Sequence, residues 1–272
     1  MARIIVAILL ALSVWAGEPI AIQIATLPKT TIDARLAAFE NTNVTRELRL
    51  RAMFENAGCP ADHIVEQRVK HGKAPNLLCT LSGATDSTIV VGAHFDFVSR
   101  GQGVVDNWSG SSMLPSLYES LKTVGRRHTF VFAAFTDEEL GLVGSKFYVH
   151  ELGKDGRRKV AAMVNLDSLG VSPTKVERVR ADKTLLHDIG VVATQFNLPI
   201  SIVNVHNVGR SDSDSFADAN LPSICVHSVT TETFPILHTP RDQMSAMHPD
   251  DYYQSYLLLR AYLAYLDITL DT

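Results

Sequence analysis

The chain has 272 residues, 46% of them hydrophobic and 20% charged, with a formal net charge of -4. That length and apolar share suffice for one globular domain with a sizeable core. Lys and Arg form no long cluster of the kind that phosphate-backbone binding requires, since Arg126-Arg127 and Arg157-Arg158-Lys159 are short and interrupted, so nucleic acid is not an expected partner.

Residues 1–16 read as an export signal: Arg3 is a short basic start, residues 4–14 are apolar, and Val14-Trp15-Ala16 is a plausible cleavage site. The apolar run is well short of the roughly 20 residues that span a bilayer. No Cys stands at the cleavage point to carry a lipid. The expectation is a secreted or periplasmic protein without stable membrane association after cleavage, with residues 17–272 as one catalytic domain. In that oxidising setting Cys59 and Cys79 are candidates for a disulfide, with Cys225 a buried free thiol; the alternative is that all three are free.

Residues 31–39 and 43–57 have helical spacing, and Gly58 stops the second, which predicts an N-terminal helical pair. Short strands are predicted near 64–69 and 77–81, then a buried strand at 88–93. From there helix and strand alternate: helix 109–123, strand 129–135, helix 144–152, strand 160–166, helix 183–196, strand 200–205, a short helix 215–219, strand 222–227 and a last helix 249–266. Such alternation predicts an α/β fold in a single domain, a mostly parallel central sheet sandwiched between helices. No internal repeat or linker divides it.

The most informative stretch runs from Phe130 to Gly144. An unbroken apolar strand, 129–135, is followed by Asp137, Glu138 and Glu139, then by Gly141 and Gly144, which permit tight turns. Three adjacent acids need a cation or water. Ligand sites of open α/β sheets lie at the carboxyl ends of strands. Two more strands also end in metal-ligand chemistry, at His94-Phe95-Asp96 and Asn165-Leu166-Asp167. His94 and Asp96, one residue apart in extended chain, project to one side, so that one can ligate while the other orients it.

A glycine-rich approach then leads to Asp106-Asn107, and His238 lies in a Pro-stiffened loop before the last helix. Asn107-Trp108-Ser109 matches a glycosylation sequon but falls inside the candidate site and is discounted. Of the ten histidines, His63, His71, His128, His150, His187, His206 and His248 are set aside as ordinary surface or core residues, and His227 is kept as a possible pocket residue.

The ordered set His94-x-Asp96, Asp106-Asn107, Glu138-Glu139-x-Gly141-x-x-Gly144-Ser145, Asn165-x-Asp167 and His238-Thr239 resembles the co-catalytic two-zinc aminopeptidase family, whose fold is shared with the glutaminyl cyclases. The resemblance spans about residues 76–266. It implies two zinc ions bridged by Asp106, with His94 and Asp167 completing one site and Glu139 and His238 the other. It implies Glu138 as general base, Asp96 as the partner of His94, and a cis peptide at Asp106-Asn107. Five ligand side chains are one more than a closed tetrahedral zinc site uses, which agrees with two ions. The implied activity is release of N-terminal residues from peptide substrates.

The pattern departs at Arg210-Ser211-Asp212-Ser213-Asp214-Ser215-Phe216, where relatives carry Ser-Asp-His, and Val208 stands where the secreted aminopeptidases place a carbonyl-polarising Tyr. Arg210 is the candidate substitute. Two other readings stay open, a one-zinc glutaminyl cyclase and a non-catalytic binding domain. Leu237 stands where cyclases usually have an aromatic residue, and a domain that had lost catalysis would tend to lack ligands that are present here.

Overall fold

The computed structural model describes residues 24–70, 72–204 and 209–272. Residues 1–16, His71, His206 and Val208, and the end of the strand predicted at 200–205, lie outside the described residues.

Strands β1 (Ile64–Gln67), β2 (Asn76–Leu81), β3 (Thr88–His94), β4 (Thr129–Phe135), β5 (Val160–Leu166), β6 (Lys175–Glu177), β7 (Ser201–Val203) and β8 (Ser223–His227) form one sheet in the order β1-β2-β4-β3-β5-β8-β6-β7. The central four, β4-β3-β5-β8, are parallel. Their continuous Val, Ile, Ala and Phe runs are buried on both faces, as strands covered by helices must be. The flanks differ: β1, β2 and β4 pair antiparallel, as do β6 and β8, while β6 and β7 are parallel. The sheet is therefore mixed, with its parallel part at the centre. The sequence gives no sign of β6, because three residues are too few to show a period.

The N-terminal pair is α1 (Lys29–Ala37) and α2 (Asn43–Ala57). Thr42 caps α2 by accepting the Thr45 N–H at 3.1 Å, and Gly58 closes it at φ 94°. Helices α3 (Ser109–Leu121), α4 (Val143–Glu151), α5 (Gly153–Arg158), α6 (Lys183–Phe196), α7 (Ser213–Ala217) and α8 (Pro249–Thr269) follow. Asp182 caps α6 by accepting the Thr184 and Leu185 N–H groups, and Asn197 ends it in the left-handed region. The larger core lies between the sheet and α1, α2, α3, α6 and α8; a smaller one, around Phe135, Tyr148, Met163 and Phe216, fills the side of α4 and α7.

Cys59 and Cys79 are joined by a disulfide, and Cys225 is free. Cys225 is not sealed in the core as expected. It is half-buried and lines a cavity, because its strand end opens there. Among the described residues no helix is long and apolar enough to cross a membrane.

Candidate metal centre

Three neighbouring parallel strands, β4, β3 and β5, end together, and their following residues converge. Strand β3 delivers His94 and then Asp96, β4 leads to Glu138 and Glu139, and β5 leads to Asp167. The turn after β4 needs tight backbone: Asp137 is at φ 54°, and a Cβ on Gly144 would sit 2.4 Å from the Thr136 carbonyl oxygen. That turn also sorts the three acids. Asp137 points away and accepts the Lys73 N–H at 2.6 Å, leaving Glu138 and Glu139 to face inward.

Asp106 stands between two imidazoles. Its Oδ1 is 3.2 Å from His94 Nε2 and its Oδ2 is 3.0 Å from His238 Nε2. His238 Nε2 is also 3.0 Å from Glu139 Oε2, while His94 Nε2 is 3.8 Å from Asp167 Oδ1 and 4.0 Å from Glu138 Oε2. The Asp106–Asn107 peptide is cis, as the resemblance implied. Asn107 is fully buried; its side chain donates to the Leu166 carbonyl and accepts the N–H groups of Gly110 and Ser168, which ties the turn to the end of β5. A buried amide used in this way is not a glycosylation acceptor.

Asp96 sits behind this arrangement. Its carbonyl is 3.2 Å from His94 Nδ1, and its carboxylate accepts the Glu138 N–H at 3.0 Å and the Glu139 N–H at 3.2 Å. Two acids to which the sequence assigned no role complete the surroundings. Asp242 accepts the N–H groups of Val105 at 2.7 Å and Asp106 at 3.3 Å from across the fold. Asp212, fully buried just before α7, has neither carboxylate oxygen hydrogen-bonded.

So many carboxyls cannot all ionise together without cations. Burial pushes the Glu138 carboxyl up to about 10, with Asp212, Asp167 and Asp106 adding to the rise and His94 opposing it. Burial and the Asp106 charge raise Glu139 to about 7, and burial raises Asp212 to about 7. For His94 burial works toward a lower value, but Glu138, Asp106, Asp167 and Asp96 hold the imidazole well above its ordinary range. Hydrogen bonding to Asp106 lifts His238 to about 9. For Asp106 burial works upward, and the two imidazoles win, holding it below the usual carboxylate range.

The residues fit divalent metal. His94, Glu138 and Asp167 form one group and Asp106, Glu139 and His238 another, each with ligand atoms within 4.8 Å of one another. Glu139 Oε1 is buried without a hydrogen-bond partner, as an oxygen reserved for a cation would be. Imidazole nitrogen with carboxylate oxygen is a donor set that zinc takes.

A cavity of about 360 Å³ opens beside the cluster, lined by His94, Asp106, Glu138, Asp167 and His238 and walled further out by Cys225, His227, Val229, Phe234 and Leu237. His227 Nδ1 accepts the Val229 N–H at 3.1 Å, so the ring proton sits on Nε2, which is buried and has no partner. Burial lowers this imidazole to about 4, so it is neutral near pH 7. Arg210 lines the same cavity, with its guanidinium on Asp214 and Asp218 at 3.2 and 2.5 Å; Asp214 is also paired with Arg180.

Parallel strand ends thus bring two acid–imidazole groups together on an α/β scaffold, a donor arrangement that could hold metal. A sequence model of Peptidase family M28 matches residues 76–263, and the chain belongs to that family. It is 30% identical over 142 residues to leupeptin-inactivating enzyme 1 of Streptomyces exfoliatus, covering 52% of this chain and 32% of that one. It is 30% identical over 164 residues to aminopeptidase YwaD of Bacillus subtilis, covering 57% and 36%. The chain thus spans about a third of the length of these curated relatives. Among solved structures, the fold is similar to the LapA aminopeptidase of Legionella pneumophila, with a TM-score of 0.78 at 21% identity over 90% of this chain and 73% of that one. The zinc aminopeptidase BSAP of Bacillus subtilis matches with a TM-score of 0.64 at 26% identity, covering 70% and 49%. A glutaminyl cyclase from an Acidobacteriales bacterium shares the fold, with a TM-score of 0.70 at 14% identity over 87% and 92%.

Proposed function

We propose that this chain is a zinc-dependent aminopeptidase that holds two zinc ions and releases N-terminal residues from peptides. The observation that carries the reading is the placement of Asp106, one carboxylate oxygen toward His94 and the other toward His238. With Asp106 shared, His94, Asp106 and Asp167 would hold one ion and His238, Asp106 and Glu139 the other. Glu138 is then left over for proton transfer. Bound zinc supplies Lewis acidity, polarising the scissile carbonyl and acidifying water.

The chain's own residues do the rest. Glu138 accepts the proton of the attacking water on Oε2 and returns it to the nitrogen of the leaving amine. Asp96 holds the backbones of Glu138 and Glu139, and its carbonyl orients His94 through Nδ1. The surplus of carboxylates favours a free substrate ammonium group, and the wall of Cys225, Val229, Phe234 and Leu237 offers an apolar surface to the first side chain. Arg210 and His227 are the substrate-contacting candidates of that wall. Export belongs to the same reading: a Cys59–Cys79 disulfide suits an oxidising compartment, and residues 1–16 have the pattern of an export signal.

The test is metal analysis beside turnover of aminoacyl, N-acetylated and N-terminal Gln peptides. Two zinc ions per chain, with hydrolysis of free-amine substrates only, is the expected result. One zinc ion with ring closure of N-terminal Gln and no peptide hydrolysis would establish a cyclase instead.

A further inference from the structure

Arg46 lies on α2, outside the stretch 76–263 that matches the peptidase family, and it is completely buried. Its partners are backbone oxygens: Nη1 donates to the Phe95 carbonyl at 3.0 Å, Nη2 to those of Gln102 at 2.5 Å and Gly103 at 3.0 Å, and Nε to that of Glu40 at 2.8 Å. The guanidinium carbon is 4.0 Å from the centre of the Phe97 ring and 5.6 Å from that of Trp108. A cation taken out of water at such cost persists only where its donors are satisfied.

Three of these carbonyls, those of Phe95, Gln102 and Gly103, lie at the two ends of one loop. Phe95 sits between His94 and Asp96, and Gly103 comes three residues before Asp106. One planar fork therefore ties the end of β3 to the start of the turn that carries Asp106. Beside the Asn107 amide, that turn is supported by Asp242, on the Val105 and Asp106 amides, and by Trp108 Nε1, which donates to the Leu36 carbonyl at 2.9 Å on α1. Both N-terminal helices thus brace the loop that brings Asp106 between the two imidazoles.

We propose that Arg46 is a positioning residue of the metal centre, clamping the 95–103 loop so that Asp106 reaches both His94 and His238. The inference rests on the ligand assignment proposed above. Longer-range attraction adds to it, because Asp242, Asp96 and Asp106 oppose the effect of burial and keep the group a cation, with burial lowering its pKa only to about 10. Lysine is a poor substitute: its compact ammonium lacks the planar fork that bonds both loop ends at once.

The experiment compares Arg46→Met and Arg46→Lys with the unaltered chain. It reads zinc affinity by competition with a chromophoric chelator, Tm before and after zinc loading, and kcat and KM. Expected for Arg46→Met are a zinc affinity at least tenfold weaker, a smaller rise in Tm on loading, and a fall in kcat that exceeds any change in KM; Arg46→Lys falls between. A role in folding alone would lower both melting temperatures equally and leave zinc affinity within twofold of the unaltered chain, and that result overturns the proposal. Should Arg46→Met not fold, Arg46→Lys decides by the same two zinc readouts. An unaltered chain that binds no zinc overturns the metallopeptidase reading as well, whereas normal zinc binding in all three proteins overturns only the role of Arg46.

Discussion

Asp96 Oδ1 accepts the backbone N–H of Glu138 at 3.0 Å, which ties the end of β3 to the acid pair that follows β4. The same carboxylate's Oδ2 accepts the Glu139 N–H at 3.2 Å, so one side chain sets the backbone of both glutamates. Asparagine in its place keeps one acceptor and turns an NH2 group on the other amide. Asp96→Asn is therefore expected to weaken zinc binding by about 10- to 100-fold, the scale of lost support behind a metal site. Chelator competition measures it. Unchanged affinity would show that the backbone of the acid pair holds itself.

Glu138 and Glu139 are neighbours with different expected roles, and amide substitutions separate them. Glu138→Gln should lower kcat by about 100- to 10,000-fold with zinc content intact, since proton transfer by a placed side chain is of that size. Glu139→Gln should lose zinc as well. If the two variants exchanged behaviours, the assignments of base and ligand would exchange with them.

The metal-free protein should lose stability as pH rises. Glu138, at about 10, and Glu139, at about 7, hold protons in the folded state that an unfolded chain releases at ordinary carboxylate values, and His238, at about 9, gains stability from its protonated form. Across that window the folded state binds more protons, so the stability these groups give is present at low pH and lost as pH climbs through their folded values. Zinc replaces those protons, so its affinity should rise with pH over the same range. Tm of chelator-treated protein should fall from about pH 5 to about pH 9, while that of loaded protein changes less. Parallel curves for the two forms would contradict this account.

Arg210→Ala tests the cavity wall. Asp214 keeps Arg180 when Arg210 is removed, so the local fold should survive. As the carbonyl-polarising group, Arg210 should cost about 100-fold in kcat when lost, the scale of one missing oxyanion donor, with KM little changed. A kcat within twofold of the unaltered chain would remove Arg210 from the reaction and turn attention to the unpartnered Nε2–H of His227 in the same cavity.

Four of the candidate site residues sit next to a local signal in the sequence. His94, Glu138, Glu139 and Asp167 follow apolar strands long enough to recognise, and parallel neighbours must bring their carboxyl ends to one edge. The N-terminal pair, α6 and α8 were legible through periodicity and through their stop and start residues, Gly58, Asn197 and Pro249. Other features have no local signal. Asp137, Glu138 and Glu139 read alike as three acids in a row, and only the turn at Asp137, with the Lys73 amide beside it, points one away and two inward. Asp242 and Arg46 owe their places to contacts across many residues, as when Asp242 reaches Asp106 over a separation of 136. Strand β6 is too short to carry a pattern, and Cys225 lies on an apolar strand whose end opens into a cavity. Sequence alone determined which side chains finish the strands, because hydrophobic period and turn chemistry are local. Tertiary structure decided which of them meet and what holds them there, because that depends on packing between distant segments.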